Sequence, residues 1–242
     1  MNFSVKYNFD FFLPRICPGC NKKLSNDTKP VCDDCLSSIL IADKEKLEHE
    51  FEKNFKPSNI ISDYYALYIF QPDQALQHII HALKYQRQFR LGVFLGEMIS
   101  EGIKSRSWQV DVIIPIPIHH LKKVERGYNQ SDYIAKGLSR KLNVPWSGKI
   151  VKRLRHTESQ TKLNMKQRAL NIADAFKIKR PEEIKNKNVL VVDDVSTTGA
   201  TILECAKMIK AAGAKTVYAC TVGTTSLEDD SATSYLAQKH QE

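Results

Sequence analysis

The sequence predicts an α/β fold, a mostly parallel sheet flanked by helices, preceded by a small four-cysteine knuckle. Three observations predict it. Strand-like and helix-like patterns alternate from about residue 63 onward. The apolar runs VDVIIPIPI at 110–118 and NVLVV at 188–192 have strand length and no alternation, as strands buried on both faces require. Four of the six cysteines fall within the first 35 residues.

Cys17-Pro18-Gly19-Cys20 and Cys32-Asp33-Asp34-Cys35 form two C-x2-C pairs separated by eleven residues. Each pair sets two thiolates on one side of a tight knuckle, and together they close a tetrahedral sulfur cage for Zn²⁺. Such a cage has no open ligand position, so the metal is expected to serve folding rather than catalysis. Disulfides are the alternative. The N-terminus MNFSVKYNFDFFLPR lacks the basic-then-apolar order of a signal peptide, which places the chain in the reducing cytoplasm and favours zinc. Cys205 and Cys220 stand alone among apolar neighbours and read as packing residues.

The expected organisation is a zinc-finger domain over 1–41, a charged linker or short helix over 42–60, the main domain over 61–226 and a polar tail over 227–242. In the main domain DYYALYIF reads as a strand, and ALQHIIHALKYQ and FRLGVFLGEMISEGI as helices. VDVIIPIPI reads as a strand whose prolines mark its end, and SDYIAKGLSRKL as a helix over 131–142 capped by Ser131. A strand near 149–154, a polar basic stretch to about 171, strands at 173–178 and 188–193, a helix over 199–212 and a strand over 215–222 complete the pattern. Ligands of such sheets sit at the carboxyl ends of the strands. No apolar run reaches the roughly 18 residues of a membrane span.

The net charge of +9 is local. Between His119 and Arg168 there are thirteen Lys/Arg and three Asp/Glu, a net of +10, so the remainder sums to −1. An excess of this kind points to a polyanion or a phosphorylated ligand, with a solvated face as the plain alternative.

At 188–201, NVLVVDDVSTTGAT runs a buried strand into two carboxylates and then into small hydroxyl residues around a glycine. Asp193 and Asp194 can accept hydrogen bonds from vicinal hydroxyls or hold a hydrated Mg²⁺. Ser196, Thr197, Thr198 and Gly199 lead into a helix, where backbone N–H groups and hydroxyls converge as a phosphate nest. Acids for a sugar diol beside a nest for a phosphate describe a ribose 5-phosphate. A plain helix cap needs only one such residue.

The run from Val189 to Thr201 resembles the phosphoribosyl pyrophosphate (PRPP) motif of the type I phosphoribosyltransferases. The resemblance implies that fold, with Asp193 and Asp194 on the ribose hydroxyls and Ser196, Thr197, Thr198, Gly199, Ala200 and Thr201 around the 5-phosphate, and with Mg²⁺ accompanying PRPP. It also implies that PIPIHHLKKVERGYNQ, at 115–130, holds the pyrophosphate, with Pro117, His119, Arg126, Gly127 and Asn129 joined by Lys84. Lys122, Lys123 and Arg126 supply cations to that loop.

The stretch 152–176 is polar, without glycine or proline, and reads as a mobile hood bringing cations to a developing pyrophosphate. Arg155, His156 and Lys162 are its candidate catalytic residues. CPGC…CDDC, Leu83-Lys84-Tyr85, PIPIHH…RGYNQ, RLRHTESQ…RALNIADAF and VVDDVSTTGAT, taken in order, resemble the ComF family of competence proteins over essentially the whole chain. That likeness implies a cytoplasmic protein needed for natural transformation, which handles imported single-stranded DNA alongside DNA-uptake or recombination proteins.

Two roles stay open. One is transfer from Mg²⁺-PRPP to an acceptor for which the sequence carries no recognition signature. The other is strand binding by Lys122, Lys123, Arg126, Lys152, Arg153 and Arg155, with Tyr128, Tyr133 and Trp146 either stacking on bases or packing in the core.

Overall fold

The computed structural model describes residues 14–24, 29–72, 74–154 and 175–225. A first short helix, α1 (Asp33–Ser38), follows the second cysteine pair, and α2 (Lys44–Asn54) leads through a 3-10 turn (Lys56–Ser58) into β1 (Asp63–Phe70). The chain continues through α3 (Ala75–Tyr85), α4 (Phe89–Lys104), β2 (Val112–Pro115), α5 (His120–Arg126) and α6 (Gln130–Leu142). It ends with β3 (Val151–Arg153), β4 (Phe176–Ile178), a 3-10 turn (Pro181–Glu183), β5 (Asn188–Ser196), α7 (Ala200–Ala211) and β6 (Thr216–Thr225).

Four strands form one parallel sheet in the order β1-β6-β5-β2. β5 and β6 occupy the middle, and their sequences, NVLVV and TVYACTV, are buried on both faces. One face carries α3, α4 and α6, packed through Leu76, Ile79, Leu83, Leu95, Ile99, Ile134 and Leu138. The other carries α7 and α2, through Ile202, Cys205, Ala206, Ile209, Leu47 and Phe55. Among the described residues no helix is long and apolar enough to cross a membrane.

Several local expectations change. Of the two alternatives for 42–60 the short helix holds: α2 begins at an Asp43 cap, and Leu47 and Phe55 are buried against the sheet. The strand pairings Ile41 with Tyr68, Leu40 O with Ile69 N and Ala42 N with Leu67 O cover the outer edge of β1. β3 stays outside the parallel sheet and pairs antiparallel with β4, forming a stem whose intervening residues lie outside the described set. β5 runs on to Ser196, so both acids belong to its last residues rather than to the turn beyond.

Helix α6 starts one residue earlier than expected, at Gln130, with Asn129 at its N-cap and no side-chain cap. Ser131 is thereby inside the helix and free to point at β5. The cationic loop after β2 is itself the short helix α5, which puts Lys122, Lys123 and Arg126 on a helical surface.

Candidate functional site: an acid pair among cations

Asp193 and Asp194 stand at the carboxyl end of central strand β5, and each is held by one residue at the start of α6. Ser131, fully buried, donates from Oγ to Asp193 Oδ1 at 2.9 Å. Gln130, equally withdrawn from solvent, donates from Nε2 to Asp194 Oδ2 at 3.3 Å. Backbone N–H groups complete the clamp: Asp194 N donates to Asp193 Oδ1 at 2.9 Å and Val195 N to Asp194 Oδ1 at 2.8 Å.

The last turn of α3 enters from the side. Lys84 Nζ lies 2.8 Å from Asp194 Oδ2. The next residue, Tyr85, accepts from Arg126 Nη2 at 3.1 Å and faces the same guanidinium at 5.0 Å from its ring centre, while Arg126 Nη1 donates to Gln130 Oε1 at 3.1 Å. Arg126 Nε is buried with no hydrogen-bond partner among the described residues.

The charges answer to this arrangement. Burial pushes the Asp193 carboxyl up to about 7, and the Asp194 charge beside it adds to the effect. Burial acts most strongly on Asp194 as well, but the Lys84 ammonium, the Val195 N–H and Arg126 together outweigh it and hold that carboxyl below its ordinary value. Across the site, burial and then the cations Arg126, Arg153 and Lys84 lower the Lys122 ammonium. Arg153, whose guanidinium lies 5.4 Å from the Phe176 ring centre, is lowered by burial, with the Asp193 charge opposing. Lys84, Arg126 and Arg153, from α3, α5 and β3, thus act on the two acids, and Lys122 lies among these cations.

Beyond the acids β5 turns into α7 at Gly199, whose φ of +68° lies in the left-handed region that glycine adopts freely. A Cβ there would come 2.6 Å from the Phe55 ring. Thr198 Oγ1 accepts from Ala200 N at 3.5 Å and Thr225 Oγ1 donates to Thr197 O at 3.4 Å. Beneath this turn Tyr64 shares a 2.7 Å hydrogen bond with Thr221 Oγ1. A hydroxyl-rich turn at the N-terminus of a three-turn helix, beside paired acids, can receive a phosphate and a diol together.

Other candidates fall into three groups. Lys84, Arg126 and Arg153 act on the acids, and Lys122 lies beside those three cations. His119, Gly127 and Asn129 shape the chain: His119 Nδ1 accepts from Leu121 N at 3.4 Å, Gly127 ends α5 at a φ of 80°, and Asn129 Nδ2 donates to Ile116 O at 3.1 Å. Pro117 is half-buried at the exit of β2, whereas Lys123 and Lys152 point to solvent. Arg155, His156 and Lys162 lie outside the described residues.

The aromatic residues resolve toward packing. Tyr128 is buried, donates to Leu83 O and meets Phe89 edge-on at 4.6 Å, and Tyr133 stacks on Phe89 at 4.8 Å. Trp146 bridges to Ile113 beside β2 and packs against the core. Gln130, Ser131, Tyr85 and Phe55 are the site residues that sequence reasoning did not single out.

The cysteines converge as expected. Cys17, Cys20, Cys32 and Cys35 bring their sulfurs within 4.8 Å of one another. Cys20 Sγ and Cys32 Sγ are 3.7 Å apart, against about 3.8 Å for two sulfurs bound at ~2.3 Å to one tetrahedral ion. The cluster can therefore bind a metal ion such as zinc. Burial works against a thiolate at Cys17, yet the backbone N–H groups of Cys32, Cys20 and Gly19 bring it down to about 7; burial pushes Cys35 up. A Cβ at Gly19 would lie 2.7 Å from Cys35 Sγ, so the knuckle requires glycine.

Competence protein F of Haemophilus influenzae is 30% identical over 213 residues, covering 84% of this chain and 87% of that protein. The chain belongs to the ComF family. DNA utilization protein YhgH of Shigella flexneri is 33% identical over 147 residues, 59% of this ComF-family chain and 64% of that protein. The phosphoribosyl transferase domain family matches residues 129–237. With the parallel order of the sheet, that match gives this ComF-family chain a type I phosphoribosyltransferase fold. A Bacillus subtilis glutamine PRPP amidotransferase structure aligns at a TM-score of 0.39 and 19% identity, over 63% of this chain and 29% of that one, too distant to bear on the site.

Proposed function

We propose that this ComF-family chain binds PRPP with Mg²⁺ at the β5–α7 junction and acts in the cytoplasm in the handling of single-stranded DNA. The observation that carries the ligand reading is the acid pair, clamped by Ser131 and Gln130, set between a hydroxyl-rich helix start and four cations. In this reading Asp193 and Asp194 take the ribose hydroxyls and Mg²⁺, and Ser196 to Thr201 take the 5-phosphate. Lys84, Arg126, Lys122 and Arg153 face the pyrophosphate. Mg²⁺ supplies charge neutralisation at the leaving phosphates.

The DNA role draws on the names of the relatives, competence protein F and DNA utilization protein, and on the net of +10 between His119 and Arg168. Lys122, Lys123, Arg126, Lys152, Arg153 and Arg155 are the proposed strand contacts, made through phosphates rather than bases. DNA-uptake or recombination proteins would be the partners. Zinc at the four cysteines closes a folding module over 1–41, with 42–60 joining it to the transferase-like domain over 61–226 and a tail over 227–242.

Transfer to an acceptor is the second reading, favoured by the cation excess where pyrophosphate would depart. In it a nucleophile bonds to the anomeric carbon as the bond to pyrophosphate breaks. Thermal shift and turnover with Mg²⁺-PRPP against a panel of bases and amines tests both readings. Binding raises the melting midpoint, and turnover releases pyrophosphate. An unchanged midpoint, together with Asp193→Ala and Asp194→Ala cells that transform normally, removes the ligand reading. Oligonucleotide affinity that does not fall with salt removes the DNA contacts.

A further inference from the structure

Asp194 is crowded. Its Oδ1 accepts from its own strand at Val195 N, and its Oδ2 accepts from both Lys84 at 2.8 Å and Gln130 at 3.3 Å. A carboxylate oxygen offers about two lone-pair positions, so Oδ2 has no place left for a sugar hydroxyl. Asp193 differs: both of its hydrogen-bond donors, Ser131 and Asp194 N, use Oδ1. Asp194 keeps one open position, on Oδ1; for its Oδ2 to receive a ribose hydroxyl as well, one of its donors has to leave.

Of the three, Lys84 alone is built to move. Val195 N is main chain, and Gln130 is buried and pinned through its Oε1 by Arg126 Nη1 at 3.1 Å. Lys84 sits in the last turn of α3, and its side chain keeps 23% of its exposure against 7% for Asp194. A four-carbon stem lets the ammonium pivot without moving the helix. A destination lies beside it. Arg126, Arg153 and Lys84 all act on the Lys122 ammonium, so the four are a like-charged group that a phosphate chain would neutralise.

We propose that Lys84 is an exchangeable counter-cation, neutralising Asp194 in the fold as it stands and transferring to the pyrophosphate when a phosphoribosyl pyrophosphate enters, so that Asp194 is released to the ribose diol. The proposal rests on the ligand reading above. Its consequence is coupling between the two halves of the ligand: pyrophosphate draws Lys84 off Asp194 and thereby improves the site for the sugar. Linkage makes the effect reciprocal. A Lys84 that served only to position Asp194, or only to contact pyrophosphate, produces no such coupling.

The test uses ribose 5-phosphate and inorganic pyrophosphate as separate probes, by titration calorimetry in magnesium-free buffer, on wild type and Lys84→Met. In wild type, pyrophosphate should tighten ribose 5-phosphate binding about fivefold or more, as couplings of this kind do. Lys84→Met should lose that coupling and bind pyrophosphate about tenfold more weakly, as loss of one charged contact implies, while binding ribose 5-phosphate at least as tightly as wild type. A folded Lys84→Met that loses ribose 5-phosphate as well assigns Lys84 a merely supporting role and overturns the exchange. Should the variant fail to fold, the wild-type coupling decides alone, and its absence overturns the exchange. Wild type that binds neither probe overturns the ligand reading itself.

Discussion

Alanine at position 199 puts the phosphate-loop geometry to a sharp test. Gly199 has a φ of +68°, and a left-handed backbone costs an L-residue about 1–2 kcal/mol. The added methyl would lie 2.6 Å from Phe55 Cε1 and Cζ. Phe55 cannot swing aside, being 1% exposed and held against the Tyr64 ring at 4.8 Å. Overpacking of such a core adds about 1–3 kcal/mol. The total, about 2–5 kcal/mol, is a large share of the roughly 5–15 kcal/mol that stabilises a domain. At about 2–4 °C per kcal/mol for a chain of this size, the melting midpoint falls by about 4–20 °C. Calorimetric melting of wild type, Gly199→Ala, Phe55→Leu and the double variant measures it. Leucine relieves the overlap, so the double variant should lose less stability than the two single changes summed. A Gly199→Ala protein that melts with wild type, or strict additivity, refutes the contact.

Three further outcomes are expected. Because Asp193 is pushed up to about 7, the folded chain holds that proton more tightly than the unfolded one, with its ordinary value of about 3.9. The group's contribution to stability therefore declines as pH rises from about 4 to about 7, and Asp193→Asn should remove that decline from urea unfolding curves measured across the range. Asp194 is lowered by Lys84, so its contribution fades only as pH drops through the acidic carboxylate range. Tyr64→Phe keeps the ring but strips Thr221 Oγ1 of its 2.7 Å partner, costing about 1–3 kcal/mol of unfolding free energy. Removal of metal by a zinc chelator should lower the melting midpoint, since Cys17 and Cys35 share a buried cluster with Leu76 and Ile79. A chelated, metal-free chain with an unaltered melt argues against the cysteine site.

The alternation of elements and the acid pair were legible because both are local. Four apolar residues in a row ahead of Asp193 have the pattern of a doubly buried strand, and C-x2-C spacing constrains thiols within a single turn. What escaped was long-range. Ser131 has every property of a helix cap when read along the chain, yet β5 brings Asp193 to its hydroxyl, and the carboxylate takes the hydrogen bond. Phe55 belongs to a stretch dense in Lys and Glu that reads as a linker or short helix, and only the tertiary fold places its ring under Gly199. Tyr128 and Tyr133 carry the same letters as stacking residues, but Phe89, forty residues upstream, is what they stack on. The pairing of β3 with β4 outside the parallel sheet is not legible either, because three residues carry no record of strand direction.

The family match over 129–237 does not bound the folding unit. β6 pairs with β1 along Asp63–Phe70, so a fragment beginning at 129 would leave a central strand as a bare edge. It would also lack Lys84, which pairs with Asp194, Arg126, which holds Gln130, and Phe55, which lies against Gly199. Helix α3 extends this dependence to the knuckle. In its first turns His78 Nδ1 donates to Gly19 O at 3.2 Å, and Leu76, Ile79 and Ile80 pack with Cys17, Val31 and Cys35. In its last turn it presents Lys84 and Tyr85 to the acids and to Arg126. The eleven residues of α3, ALQHIIHALKY, contain neither glycine nor proline, the residues at which helices most often kink. The knuckle and the acid pair therefore contact opposite ends of one helix, the knuckle through Gly19 O with His78 and the acids through Asp194 with Lys84.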